Sequence, residues 1–237
     1  MSDQSISLEI PVFSPDDAVT AARYGADRLE LCASYSEGGL TPGTGLLKVV
    51  KQYVDIPVFV MLRPVGGHFY YSELDLEVMA EELKVLKSFG ADGFVFGILK
   101  SDRTVNIEAC EKLINLAGEL PCTFHRAFDE VSAPFKALQE IKELGFKRIL
   151  TSGQQPGVGQ GIELLNDLLN LAGDDIIIMP GGGMKPELIK PLNKSGRLKE
   201  IHSSCRKRGE SETPSIRKKS LVDESLVAQF KKAIAEC

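Results

Sequence analysis

LELCASYSEGGLTP, residues 29–42, is a short β-rich run that alternates apolar and polar side chains and then breaks into glycines. In a strand of period two, Leu29 and Leu31 face one side while Glu30 and Cys32 face the other. Seven further runs have the same character: SLEIPV (7–12), VFVMLR (58–63), GFVFGI (93–98), CTFHRA (122–127), RILTS (148–152), IIIMP (176–180) and EIHSS (200–204). With RLELCA (28–33) they make eight strands.

The stretches between them read as helices. Ser14-Pro15-Asp16-Asp17 and Ser72-Glu73-Leu74-Asp75 both fit the [ST]-x-x-[DE] helix start, the first with a proline in the opening turn. From Leu76 to Phe89, Leu76, Met79, Leu83 and Leu86 recur at three- and four-residue steps, the spacing of one buried helix face. Gly25, Gly90 and Gly145 each end a helical stretch just before a strand, a weak internal repeat. Alternating βα units demand a parallel sheet covered by helices, and eight of them predict a single (β/α)8 TIM-type barrel. An open doubly wound sheet is disfavoured, because no G-x-G-x-x-G follows the first strand. We expect one domain over 1–237, with a long loop at about 205–220 and a C-terminal helix at about 223–236.

The 237 residues carry a net charge of -5, which argues against a nucleic-acid partner. No apolar run approaches the roughly 20 residues needed to span a bilayer, and MSDQSISLEI does not read as a signal peptide, so a cytoplasmic protein is expected. The five cysteines include no C-x-x-C pair and read as free thiols. Cys110 and Cys122 read as packing, Cys205 as part of a solvated basic loop with Arg206-Lys207-Arg208, and Cys237 as a mobile end.

Parity along the strands places Glu9, Glu30, Cys32, Arg63, His125 and His202 on the barrel's inner side. Buried charges need partners, so Glu9 and Glu30 should find Arg63, Arg126 or a histidine. A polar plug that fixes barrel register would account for this set. So would a site, because these residues lie near the carboxyl ends of their strands, where barrels build function. Gly38-Gly39, Gly66-Gly67, Gly153 and Gly181-Gly182-Gly183 follow strands on that same face. With Ser203 and Ser204 after strand 8, the triple glycine could present N–H and hydroxyl donors to an anion. Cys32 combines inward parity with that face, and reads equally as filler or as a ligand or nucleophile.

Several of these stretches resemble the CutC family: Gly25–Ala33 with Glu37–Pro42, Arg63-Pro64 with Gly66-Gly67, Thr123–Asp129, Arg148–Gly153 and Glu200–Ser204. The resemblance covers nearly the whole chain. It implies a cytosolic (β/α)8 barrel, often homo-oligomeric, linked by name to copper homeostasis and proposed to bind Cu(I), with Cys32 in the position of the family's strand-2 cysteine. Two departures are visible. Val65 and His68 stand where the family more often has Arg and Asp, and Pro11-Val12 stands where some members have a cysteine.

Two functional readings follow. In one, the ligand is a copper ion on Cys32, with His125, His202 or a second subunit's thiol completing the coordination. In the other, the barrel is an enzyme acting on a small phosphorylated or carboxylated metabolite. Its catalytic residues would be His125 or His202 with Glu9 or Glu30. Arg63, Arg126, Asp129, Ser152, Gly153, Gly181, Gly182, Gly183 and Ser203 would bind the ligand. A non-catalytic scaffold that has lost its site is a third possibility.

Overall fold

The computed structural model describes residues 5–207 and 221–237. Its strands are β1 (Ser7–Val12), β2 (Arg28–Leu31), β3 (Val58–Met61), β4 (Gly93–Phe96), β5 (Cys122–Phe124), β6 (Arg148–Thr151), β7 (Ile177–Pro180) and β8 (Glu200–His202). All ladders are parallel, in the order β7-β6-β5-β4-β3-β2-β1-β8. The two ends of that order lie side by side: a Cβ placed on Gly181, just after β7, would sit 3.0 Å from Cβ of His202 in β8. The sheet is therefore a barrel with one seam.

A helix follows each strand: α1 (Pro15–Tyr24), α2 (Thr44–Tyr53), α3 (Glu73–Ser88), α4 (Ile107–Ala117), α5 (Pro134–Glu143), α6 (Ile162–Ala172), α7 (Ile189–Leu192) and α8 (Glu224–Ala235). The helix signals act locally as their chemistry dictates. The Ser14 hydroxyl accepts from Asp17 N–H at 3.1 Å, and Ser72 and Asp75 form a reciprocal capping box. Gly25 closes α1 at φ +114, a conformation that costs a side chain energy but not glycine. Met79, Leu83 and Leu86 of α3 are buried, and Leu76 packs against the core.

Two apolar layers result. Alternate strand residues such as Leu29, Leu31, Val58 and Val60 pack outward against the helices, while Cys32, Phe59, Met61 and Val95 form a separate cluster inside the barrel. Several strands end earlier than the sequence pattern suggests. β2 stops at Leu31 and β5 at Phe124, and Arg126–Glu130 is a 3-10 turn rather than strand. The ladder dissolves at the carboxyl ends because the chain must splay into the top loops. Most of the expected loop at about 205–220 lies outside the described residues. Cys205 corrects the solvated-loop reading, since it is fully buried and packs in the outer core.

Candidate active site

The register of β1 sets up the interior. Glu9 stands opposite Arg28 of β2 on one side and His202 of β8 on the other. Its Oε2 accepts from Arg28 Nε at 2.5 Å, and its Oε1 meets His202 Nδ1 at 2.8 Å. The Arg28 guanidinium also binds Glu200, which takes a second bond from Arg148 Nε at 3.0 Å. Arg28 and Arg148 both lie over the Phe59 ring, with guanidinium carbons 4.8 and 5.0 Å from its centre. These charges are almost sealed from water, so they persist only because two guanidiniums and two carboxylates neutralise one another.

Above this layer sits Glu30, 4% exposed. Its Oε2 accepts from the Cys32 thiol at 3.6 Å, and its Oε1 has no hydrogen-bond partner among the described residues. Burial, reinforced by the charge of Glu9 and offset by His202, pushes the Glu30 carboxyl up to about 7. Burial also works against ionised Glu9, yet Arg28 and His202 overcome it and hold that carboxyl at about 2. For His202, burial favours the neutral ring, but the bond to Glu9 and the fields of Glu30 and Glu9 prevail, and its pKa is raised. The floor thus holds a neutralisable acid beside an imidazole oriented by a carboxylate, two groups whose environments give them different tasks.

A cavity of about 220 Å³ opens above them at the carboxyl ends of the strands. Of the residues singled out in the sequence, Glu30, Arg126, Gly182, Gly183, His202 and Ser203 meet there. Gly38 and Ser204, also singled out, line it as well, and Tyr35 and Met184 join them. Others are placed elsewhere. Arg63 does not pair with Glu30. Its guanidinium donates to the carbonyls of Glu37, Gly39 and Gly67 and lies over Phe69, so it ties two top loops together. His125 is buried away from His202, edge-on to Phe69, its Nδ1 accepting from Ala127 N–H. Burial and the nearby Arg63 charge press it down to about 3, so it is a neutral ring at physiological pH. Asp129 accepts from Thr151 Oγ1, Ser152 N–H and Gln154 N–H, and with Ser152 holds Arg126 in place. Gly153 is pressed against Gly161, and Gly181 against Leu150 and His202. Arg28 and Arg148 carry no motif that marks them in the sequence, although Arg28 shares the parity of Glu30 and Cys32.

Cys32 lies among Phe59, Met61 and Val95, outside the cavity lining. Burial, then the charge of Glu30, raises its pKa well above the ordinary thiol value. One ligand atom from each of Glu9, Glu30 and His202 falls within 4.8 Å of the others. Two oxygens and a nitrogen suit a divalent ion better than Cu(I), but Glu9 already spends both oxygens on Arg28 and His202.

The model of the CutC family matches residues 6–207. The chain belongs to the CutC family. The human copper homeostasis protein cutC homolog is 46% identical over 199 residues, covering 84% of this chain and 73% of the relative. A family protein CutC from Salmonella paratyphi B is 42% identical over 198 residues, covering 84% and 79%. A crystal structure of a CutC protein from Streptococcus agalactiae superposes with a TM-score of 0.79 at 33% identity, covering 84% of this chain and 98% of that one. Thiamine phosphate pyrophosphorylase from Pyrococcus furiosus, at 14% identity and a TM-score of 0.61 over 98% and 97% of the two chains, shares the barrel fold alone. No helix among the described residues is long and apolar enough to cross a membrane.

Proposed function

We propose that this CutC-family barrel is an enzyme that moves protons on a small anionic metabolite held in the cavity at its carboxyl-end face. The observation that carries this reading is the pairing of Glu30 and His202 at the cavity floor, with Glu9 fixing the His202 ring. Ionised Glu30 takes a proton from the substrate. His202, its Nδ1 held on Glu9, returns one through Nε2 or stabilises the oxyanion that develops. Arg126 and the Gly182-Gly183 loop supply positive potential for the substrate's anionic end. The test is incubation in D2O with small hydroxy acids, oxo acids and sugar phosphates, read by proton NMR. At least one should exchange a carbon-bound hydrogen, and Glu30→Gln and His202→Asn should each slow that exchange by about 100-fold or more. A complete lack of exchange across the panel would sink the reading.

Copper handling is the second reading, favoured by the relatives' name and by the packing of Cys32 against Met61, which brings a thiol and a thioether together. The fit to Cu(I) is poor. Binding must strip a proton from a thiol that burial and Glu30 hold protonated, and Cys32 lies off the cavity. We therefore expect a competitive Cu(I) titration to give the same affinity for wild type and Cys32→Ser. A loss of affinity of about tenfold or more in the variant would restore copper as cargo and Cys32 as its ligand.

The five cysteines are all free thiols, which supports a cytosolic setting. Self-association, which the resemblance implies, is supported by the outward face of α3, where Leu74, Val78 and Val85 are exposed. Sedimentation velocity decides that point.

A further inference from the structure

We infer that the cavity's anion subsite, formed by the Gly182-Gly183 loop, Ser204 and Arg126, is built for a phosphoryl group, so that the substrate is a small phosphate monoester. This rests on the proposed acid-base reading for the role of the cavity floor, but its own evidence is separate. Gly182, Gly183 and Ser204 line the cavity, and among the described residues none of their backbone N–H groups donates a hydrogen bond. Free N–H groups in one concave place are costly unless water or a ligand accepts from them.

Arg126 completes the set. Its Nε donates to Asp129 and its Nη2 to Ser152, which aims the guanidinium and leaves Nη1 without a partner among the described residues. Nη1 lies 3.2 Å from the point a Cβ on Gly182 would occupy, so a side chain there would crowd the guanidinium and, at φ +93, strain the loop. Gly182 and Gly183 take φ values of +93 and +69, a tight turn that brings backbone close to the guanidinium and that glycine adopts without strain. A carboxylate has two oxygens to offer. Three backbone donors and a guanidinium edge match the three terminal oxygens of a phosphoryl group.

The cavity also accommodates what is attached. At about 220 Å³ and open to solvent on one side, it has room at its floor for a phosphoryl group on a short carbon chain. With the phosphoryl group between the loops after β7 and β8, the chain reaches down toward Glu30 and His202.

The experiment titrates inorganic phosphate, glycerol 3-phosphate and succinate into the full chain, followed by 31P NMR and by thermal shift. Both phosphates should bind more tightly than succinate. Arg126→Gln and Gly183→Ala should each weaken phosphate by about tenfold or more, while Glu30→Gln retains it. A new Cβ at Gly183 meets only Gly157 Cα at 3.9 Å but strains the turn at φ +69, which is how it should disturb the loop, and an unchanged circular dichroism spectrum would show that the variant folds. Succinate binding as well as the phosphates, or Arg126→Gln leaving phosphate affinity intact, would overturn the phosphoryl assignment. Turnover of carboxylates with no phosphate binding would overturn this subsite and keep the acid-base reading. Phosphate binding with no hydrogen exchange on any compound would do the reverse.

Discussion

Replacing Arg28 by methionine should destabilise the protein by about 3–5 kcal/mol, because it strands a buried carboxylate. Arg28 is the only guanidinium that binds both Glu9 and Glu200 among the described residues. Methionine fills much of its volume but leaves Glu9 with His202 alone and Glu200 with Arg148 alone. Arg148→Met should cost less, because Glu200 then keeps Arg28. Urea denaturation of the two variants and of Arg28→Met/Glu9→Gln would measure this. The double variant should recover part of the loss, because removing the stranded charge removes its burial penalty. A cost below about 1 kcal/mol for Arg28→Met, or no recovery on neutralising Glu9, would show that the network does not depend on this arginine.

Stability should fall as pH rises from about 5 to 8, and Glu30→Gln should remove much of that slope. The sign follows from which state holds the proton. Glu30 titrates near 7 in the fold against 4.5 in the unfolded chain, so between these values the folded state binds more protons and loses stability as pH rises. The full effect is on the order of 3 kcal/mol. His202 acts in the same direction, because its raised pKa gives stability that is complete below its unfolded value of 6.5 and lost as pH passes above it. Glu9 acts oppositely: its carboxyl, held at about 2, contributes stability above 4.5 that disappears as pH falls toward 2. Wild type should therefore be most stable in mildly acid solution. Thermal melts across pH 3–9 for wild type and Glu30→Gln would check it. Parallel curves for the two proteins would mean that Glu30 titrates as an ordinary carboxyl.

Much of the candidate site was legible because strand parity is a local rule. Glu30, Cys32 and His202 read as inward from their apolar neighbours alone, and all three are inward. The same rule applied to Arg28 would have found the cation that neutralises Glu9. Arg63, by contrast, stands next to the end of its strand. Parity does not survive there: beyond Met61 the chain leaves the ladder, and Arg63 swings to the carbonyls of two loops. His125 fails for a related reason, since it caps a 3-10 turn just past β5 and packs under Phe69.

The sequence by itself determined the alternation of strand and helix, the eightfold count, the helix caps and the left-handed glycines, because each depends on residues within a few positions of one another. Only the tertiary structure decided which charges meet. Glu9 and His202 are 193 residues apart and become neighbours because β8 pairs with β1, and Arg126 reaches Gly182 because two top loops converge over the barrel mouth. Pairing in a closed barrel depends on strand register and on the path of loops beyond the strands, and neither is written in local pattern. The carboxyl of Glu30, the feature that best supports a chemical role, takes its character from the burial and the charges that this closure brings around it.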